Sequence, residues 1–425
     1  MKIFFDLVGC RVNEAEIESM SAETRALRHE IAPSAAQADW IVINTCTVTR
    51  EAERDSRQKI RRAHARNPGA RIAVTGCWST MEPELAAALP GVARIVPNSE
   101  KDNLIKTILG GKNSSPAEMN PHAVRRRTRA YIKAQDGCQN ACAYCITRLA
   151  RGPIRSRPAE AVVADILAAE AAGAQEAVLC GVHLGAWGHD LEMNYGLERL
   201  LGTVLARTTI PRVRLSSIEP WDLRPEFFRL WGDRRLCPHL HLPLQSGCAS
   251  TLRRMNRRTT PEDYAEIIGG ARAAIPDLAV TTDWMVGFPG EDEKEFRESI
   301  DFVERMGFAR LHVFRFSIRP GTPAAREPNA VPPEEIRHRA TRARQIADRS
   351  VADFARGFLG CEMDVLWEAD TRCGMRRGLT GNFLRVRVKS DTIESNTISR
   401  VQLTAYDRGE IIGESTKSIN RGRNE

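Results

Sequence analysis

Gln135-Asp136-Gly137-Cys138-Gln139-Asn140-Ala141-Cys142-Ala143-Tyr144-Cys145 is the stretch that decides how this chain is read. Its three cysteines stand at Cys-x3-Cys-x2-Cys spacing, and no fourth cysteine or histidine follows nearby. A purely electron-carrying cubane of four irons usually takes four thiolates, so three leave one iron open to an outside ligand. A structural zinc site wants paired cysteine knuckles or a later Cys/His pair at ligand spacing. The next cysteine, Cys180, lies instead in the apolar run Ala177-Val178-Leu179. The loop is polar and ends a strand, which suits chance core cysteines poorly.

Outward from this loop, apolar strands alternate with helical stretches. Strands are expected at Tyr131 to Ala134, Ala177 to Cys180, Arg212 to Leu215, His239 to Leu242, Ala279 to Met285 and Arg310 to Phe314. Helices such as Ala159 to Ala172 and Glu293 to Met306 fall between them. Six βα units make a partial (β/α)6 TIM-like barrel, whose working groups belong at the carboxyl ends of the strands. The cysteine loop follows the first strand, as that rule requires.

The N-terminal stretch repeats the alternation on a smaller scale. Ile3 to Val8 ends at Gly9-Cys10, Trp40 to Ile43 ends at Asn44-Thr45-Cys46, and Arg71 to Thr75 ends at Gly76-Cys77. Helical stretches, Glu14 to His29 and Arg50 to Ala65, lie between. This is a doubly wound α/β pattern with a parallel sheet, and such sheets bind ligands outside the carboxyl ends of their strands. Cys10, Cys46 and Cys77 each close a strand, so they are expected to converge on a second cluster site; three separate buried cysteines are the plainer alternative.

A polar run from Gly110 to Pro116, followed by Arg125-Arg126-Arg127-Thr128-Arg129, reads as a linker. Beyond Phe358 the pattern turns to period two at Glu362 to Trp367, Leu384 to Val388 and Val401 to Leu403, with Gly374, Gly378 and Gly381 as turns. A small β-barrel fits, and barrels of this kind often bind oligonucleotides. The expected division is 1–113 for the N-terminal domain, 114–128 for the linker, 129–355 for the barrel and 356–425 for the C-terminal domain. Overall the fold class is α/β.

With 425 residues, two or three domains of about 100–200 residues are expected. No apolar run approaches the roughly 20 residues that span a membrane. Met1 to Asp6 reads as a strand without the long apolar core of a signal peptide, so a cytoplasmic protein is expected. Eleven cysteines in a reducing compartment favour metal ligands or buried thiols over disulfides. The net charge of +8 gathers at Arg125–Arg129, Arg253–Arg258 and Arg337–Arg349. Clustered positive charge suits RNA, or equally a solvated surface.

With three cysteines on one domain and three on the next, the chain resembles the radical S-adenosylmethionine (SAM) methylthiotransferases over nearly its full length. The resemblance rests on Gly9-Cys10-Arg11-Val12-Asn13, Asn44-Thr45-Cys46-Thr47-Val48-Thr49 and Thr75-Gly76-Cys77 in the first domain. In the second it rests on Gln135-Asp136-Gly137-Cys138, Ala150-Arg151-Gly152 with Arg155-Ser156-Arg157, Leu215-Ser216-Ser217-Ile218-Glu219-Pro220, His241 to Gly247 and Val286 to Glu291. The first two motifs are most similar to the MtaB group, which converts N6-threonylcarbamoyladenosine at position 37 of tRNA to its 2-methylthio form. Related groups act on isopentenyladenosine in tRNA or on an aspartate of a ribosomal protein.

The resemblance implies two [4Fe-4S] clusters, a C-terminal TRAM domain and SAM as cofactor. Cys138, Cys142 and Cys145 would hold the cluster that cleaves SAM to a 5′-deoxyadenosyl radical. Cys10, Cys46 and Cys77 would hold an auxiliary cluster that carries the sulfur. SAM contacts are expected at Gly181 to Gly185, Glu219, Gln245 and Asp283 to Gly290, notably Gly181, Asp283 and Gly287. Glycines there would admit close backbone approach, though Gly287-Phe288-Pro289-Gly290 also makes a plain turn. Tyr144 would cover the adenine of SAM or simply pack. Arg151 and Arg155 are the expected RNA contacts. The expected partners are a tRNA anticodon stem-loop, a low-potential electron donor and a sulfur donor, with no membrane; a monomer is expected. Two departures bear on the SAM or substrate pocket: Ile146-Thr147-Arg148-Leu149 where the family often has a proline after the last cysteine, and Trp284 at a usually aliphatic position.

Overall fold

A computed structural model describes residues 1–110, 128–191, 196–372, 374–389 and 393–415. The N-terminal unit runs β1 (Lys2–Leu7), α1 (Arg11–Ala26), β2 (Glu30–Ile31), β3 (Trp40–Thr45), α2 (Arg50–Arg66), β4 (Arg71–Gly76), α3 (Cys77–Met81), α4 (Pro83–Ala87), β5 (Val92–Val96) and α5 (Leu104–Leu109). Its sheet is parallel with order β2-β1-β3-β4-β5. β3 is buried along its whole length, as a central parallel strand covered on both faces must be. The helix expected from Glu14 starts three residues earlier, at Arg11, with Cys10 at its N-cap.

The central unit continues with β6 (Arg129–Lys133), β7 (Gln135–Asp136), α6 (Thr147–Arg151), β8 (Arg155–Ser156), α7 (Ala159–Ala171), β9 (Glu176–Cys180), α8 (Leu197–Arg207), β10 (Arg212–Leu215) and β11 (His239–His241). It ends with α9 (Ala249–Arg254), α10 (Pro261–Ala274), β12 (Ala279–Val286), α11 (Glu293–Met306), β13 (Arg310–Arg315) and α12 (Pro333–Arg356). β6, β9 and β10 pair in parallel, as do β11, β12 and β13. A parallel bridge between Ser217 and His241 joins the two sets. The six strands therefore stand in chain order, an open (β/α)6 barrel with its first and last strands apart. One large apolar core, from Ala130 to Ala347, fills the space between strands and helices.

The C-terminal unit is a closed barrel, β14 (Glu362–Arg372), β15 (Met375–Thr380), β16 (Arg385–Lys389), β17 (Ile398–Asp407) and β18 (Glu410–Ser415), in the order β14-β15-β16-β18-β17. It packs around the buried Trp367, whose indole N–H donates to Ser399 Oγ at 2.7 Å. Arg212 and Arg214 of β10 reach across to its carbonyls at Leu379, Asp364 and Gly381, and so tie it to the central barrel. Residues 111–127, which carry most of the expected linker and Arg125–Arg127, lie outside the described residues.

Candidate functional site

The loop bearing Cys138, Cys142 and Cys145 leaves β7 at the carboxyl edge of the barrel. Gly137 makes the turn with φ +72°, and a Cβ there would lie 1.8 Å from the Pro153 carbonyl oxygen, so only glycine fits. Backbone bonds then hold the loop: Cys138 N–H donates to Gly152 O at 3.1 Å and Ala143 N–H to Met255 O at 2.9 Å. Asn256 Nδ2 adds a bond to Ala141 O at 2.8 Å. Burial pushes the Cys142 and Cys145 thiols up, and the Arg257 guanidinium, 3.7 Å from Cys142 Sγ, opposes it at Cys142.

Arg257 is buried and makes a fork to Glu219 at 2.6 and 3.1 Å, with a third bond to Pro243 O at 2.6 Å. Its guanidinium carbon lies 4.6 Å from the centre of the Trp221 ring. On the opposite side of the loop, His183 donates to Asp222 Oδ2 at 2.7 Å. Burial alone would lower its pKa, but hydrogen bonds to Asp222 and Cys138 raise it to about 10, so the imidazolium faces the first cysteine. The sequence singles out neither group: Arg257 falls within the basic run Arg253–Arg258, and His183 lies unnamed inside the expected SAM stretch Gly181 to Gly185.

The N-terminal trio is built by the sheet. β1, β3 and β4 are neighbours; Cys46 and Cys77 directly follow the ends of β3 and β4, and Cys10 stands just past the end of β1 beyond Val8 and Gly9. A Cβ on Gly9 would lie 3.0 Å from Cys46 Cβ, and one on Gly76 (φ +102°) would lie 2.3 Å from Thr45 O, so the strand ends approach closely. Burial pushes the Cys46 thiol up to about 12. Cys10 opens to solvent, yet the protein packed around it raises its thiol against the pull of Arg151. Asn13 sits 3.8 Å from Cys10 Sγ and Asn98 Nδ2 3.7 Å from Cys77 Sγ. Three thiols at one rim match the donor set of a cubane with one open iron.

Between the two trios runs a buried ionic network. Glu16 of α1 accepts from Arg151 at 2.8 Å and from Lys101 at 2.7 Å, and lies 3.7 Å from Lys133. Arg151 also reaches Asp136 Oδ1 at 2.9 Å and Asn13 Oδ1 at 2.7 Å. Burial alone would raise the Glu16 carboxyl, but Arg151, Lys101 and Lys133 hold it well below the usual range. Asn13 touches Cys10, and Asp136 stands two residues before Cys138, so the network joins both sites. Asn98 adds a second link, from Cys77 to the Ala150 carbonyl at 2.8 Å.

Several expectations change here. Arg151 is not an RNA contact, because its side chain is 1% exposed and saturated by carboxylates. Arg155 stays accessible, 3.7 Å from Asp136 with a side chain 45% exposed. The basic helix α12 spends Arg339, Arg342 and Arg349 on Glu291, Glu293 and Glu304, which clasps it to its neighbours. Arg254 likewise pairs with Glu295. Trp284 faces the core, stacked on Phe296 at 5.9 Å, and not a pocket. Ile146 is buried and leads into α6, which carries Arg151 to the network.

Among the expected SAM contacts, Glu219 stands at the cluster loop through Arg257, and Asp283 Oδ1 lies 3.3 Å from His241 Nε2. Gln245 adopts φ +73° and clips β12 through backbone bonds to Asp283 and Met285. A Cβ on Gly181 would crowd Gln135 Oε1 at 2.9 Å; one on Gly287 would meet Ile336 of α12 at 2.5 Å, so what approaches Gly287 is a helix. Tyr144 is packed among Met255, Phe288 and Ala324 beside the loop. Among the described residues no three His, Cys, Asp or Glu side chains close on one ion.

An open βα barrel with a three-cysteine loop at its carboxyl edge defines the radical-SAM class. The radical SAM superfamily model matches residues 132–303, and the model described as uncharacterized protein family UPF0004 matches residues 2–97. The fold is shared with the radical S-adenosylmethionine methyltransferase TsrM from Kitasatospora setae, at TM-score 0.56 and 15% identity over 76% of this chain and 74% of that one. The threonylcarbamoyladenosine tRNA methylthiotransferase MtaB of Bacillus subtilis is 34% identical over 96% of each chain. Its namesake in Thermotoga maritima is 35% identical over 90% of this chain and 93% of its own. The tRNA-2-methylthio-N(6)-dimethylallyladenosine synthase of Oceanobacillus iheyensis is 31% identical over 87% of this chain and 75% of its own. The chain belongs to the radical-SAM methylthiotransferase family. No helix among its described residues is long and apolar enough to cross a membrane.

Proposed function

We propose that this chain is the enzyme that methylthiolates C2 of N6-threonylcarbamoyladenosine at position 37 of tRNA. The observation that carries the reading is the pair of cysteine trios joined by one buried network. The adenine C2–H is neither acidic nor hydridic, and positioned acids and bases contribute only about 10²–10⁴-fold. Such chemistry belongs to cofactors. When bound, a cluster on Cys138, Cys142 and Cys145, a second on Cys10, Cys46 and Cys77, and SAM supply the electron, the radical and the methylthio group.

The protein's own part is to bind and to orient. Thiols must lose their protons to ligate iron, so cations near them favour loading. Arg257 serves Cys142 in this way and Arg151 serves Cys10. The Glu16 network holds the N-terminal rim against the barrel rim, which fixes the separation of the two sites. Accessible arginines such as Arg155 meet phosphates, and the C-terminal barrel adds an RNA-binding surface. The division into 1–113, 129–355 and 356–425 belongs to the same reading and is supported by the separate apolar cores of the three units. A low-potential reductant and a sulfur donor complete the reaction, in the cytoplasm where tRNA is found.

Nucleoside mass spectrometry of total tRNA from cells lacking this protein, beside the parent, is the test. The expected result is loss of 2-methylthio-threonylcarbamoyladenosine with accumulation of its precursor. Because relatives 31% identical act on dimethylallyladenosine, loss of that methylthio form instead would move the substrate while keeping the chemistry.

A further inference from the structure

Beside the cluster loop lies a cavity of about 230 Å³, lined by Gln139, Asn140, Cys142, Trp221, Asn256 and Arg258. It is smaller than the roughly 300–1,000 Å³ of drug-sized ligand sites, so it suits one substituent better than a whole nucleoside. Its chemistry is one-sided. Three side-chain amides, one indole and one guanidinium line it, and none of these lining residues is acidic. Arg258 and its neighbour Arg257 differ sharply. Arg257 is committed to Glu219 and Pro243, whereas Arg258 is exposed, lies over Trp221 at 5.8 Å and has no carboxylate partner among the described residues. The Trp221 indole N–H is buried without a hydrogen-bond partner. An exposed cation without a carboxylate partner, set among side-chain amides, calls for a small anionic group with its own hydrogen-bonding groups.

We propose that this cavity receives the threonylcarbamoyl arm of the substrate base, with Arg258 on its carboxylate, and that Arg258 is a specificity-determining residue. The proposal rests on the substrate assigned above. That arm carries a urea, a hydroxyl and a carboxylate, which match the side-chain amides and a guanidinium fork. It springs from C6, two bonds from the reacting C2. It must therefore be held at the edge of the cluster site and not on it, and Cys142 borders both. A neutral dimethylallyl arm makes no charge-assisted contact with Arg258, so the preference rests on that one contact.

The test is the affinity of the cluster-loaded enzyme for anticodon stem-loops identical except at residue 37, which is threonylcarbamoyladenosine, dimethylallyladenosine or adenosine, at one fixed salt concentration. The parent should favour the first over the others by about tenfold, the scale of one charge-assisted contact. Arg258→Leu should remove that preference and leave the adenosine loop unchanged, while Arg258→Lys retains part of it. Equal weakening of all three loops by Arg258→Leu would make Arg258 a phosphate contact and overturn the proposal, as would an undiminished preference. Turnover separates the two readings. If the parent methylthiolates the threonylcarbamoyl loop while Arg258→Leu keeps the preference, only the cavity assignment falls. If the parent methylthiolates only the dimethylallyl loop, the substrate assignment falls.

Discussion

The two cysteine trios reach the same donor count by opposite means. Cys138, Cys142 and Cys145 share one loop, whose shape is set by Gly137 and a few backbone bonds. Cys10, Cys46 and Cys77 come from three strand ends and meet only once a parallel sheet has formed. A local site depends on its loop; a dispersed site depends on its whole domain. The lesson is that the second site is coupled to the folding of residues 2–97 in a way the first is not.

Replacing single cysteines is the strongest way to break that comparison. Cys142→Ala should abolish both SAM cleavage and methylthiolation. Cys46→Ala should abolish methylthiolation while SAM cleavage persists. Each should lower iron from about eight to about four per chain, the stoichiometry of one cubane lost. Iron analysis, 5′-deoxyadenosine release and product formation, measured on the same samples, check all three. Full methylthiolation by Cys46→Ala would remove the auxiliary role of the N-terminal trio.

The network between the trios comes next. Arg151→Met leaves Glu16 buried beside two lysines and Asp136 beside Lys133, with the bond to Asn13 lost. Removing one partner of a buried ion pair costs about 3–5 kcal/mol. The expected outcome is a lower denaturation midpoint together with slower methylthiolation, since the two rims lose their tie. SAM cleavage should fall less than methylthiolation, because Cys138, Cys142 and Cys145 keep their own loop. Equal losses in both would mean that Arg151 serves stability alone.

This network also marks where the sequence stopped being readable. Period-two and period-3.6 patterns exposed the strands of both sheets, and the turn residues before Cys10, Cys77 and Cys138 marked their ends. Such signals are local. Glu16 and Arg151 are 135 residues apart, and nothing near either one says that it is buried. The same blindness leaves Arg337–Arg349 open between an RNA surface and a solvated face, when Arg339, Arg342 and Arg349 answer carboxylates on neighbouring elements. Trp284, a departure from a usually aliphatic position, bears on the pocket in sequence, yet its side of β12 faces Phe296. Charge and size are visible in a sequence; the partner that satisfies them is a tertiary fact. Asn13 was within reach, since it belongs to the quoted Gly9–Asn13 motif and stands one helical turn before Glu16.

Glycine variants sharpen the contrast at smaller cost. Gly137→Ala meets the Pro153 carbonyl and Gly76→Ala the Thr45 carbonyl, each at a positive φ. Strain of this kind is worth about 1–3 kcal/mol. Gly137→Ala should lower cluster content at the barrel loop with little change in global stability. Gly76→Ala should lower the melting of the N-terminal unit along with its cluster. Limited proteolysis of 1–110 against iron content separates the two outcomes.

The smallest effect belongs to an ion pair that touches neither trio. Glu295 is bound by Arg254, Ser250 and Thr251 on the outer side of the barrel. Burial alone would raise its carboxyl, but these partners win and hold it at about 2. Because the folded pKa lies below the unfolded value of about 4.3, its contribution is complete above that value and fades as pH falls from there towards 2. The pair is half-buried at the protein surface, with Arg254 about a third exposed, so solvent screening still keeps the contribution to about 1 kcal/mol. Glu295→Gln should therefore be slightly less stable than the parent at pH 7, and the gap should close in acid. Glu16→Gln follows the same sign, but its partners are buried and shared with both cluster sites, so its gap at pH 7 should be several times larger. Urea midpoints of the two variants and the parent, from pH 7 down to the onset of acid unfolding, measure this. Equal gaps for the two glutamines would mean that the buried network stabilises no more than a half-buried pair, and would leave the coupling of the two trios to the sheet alone.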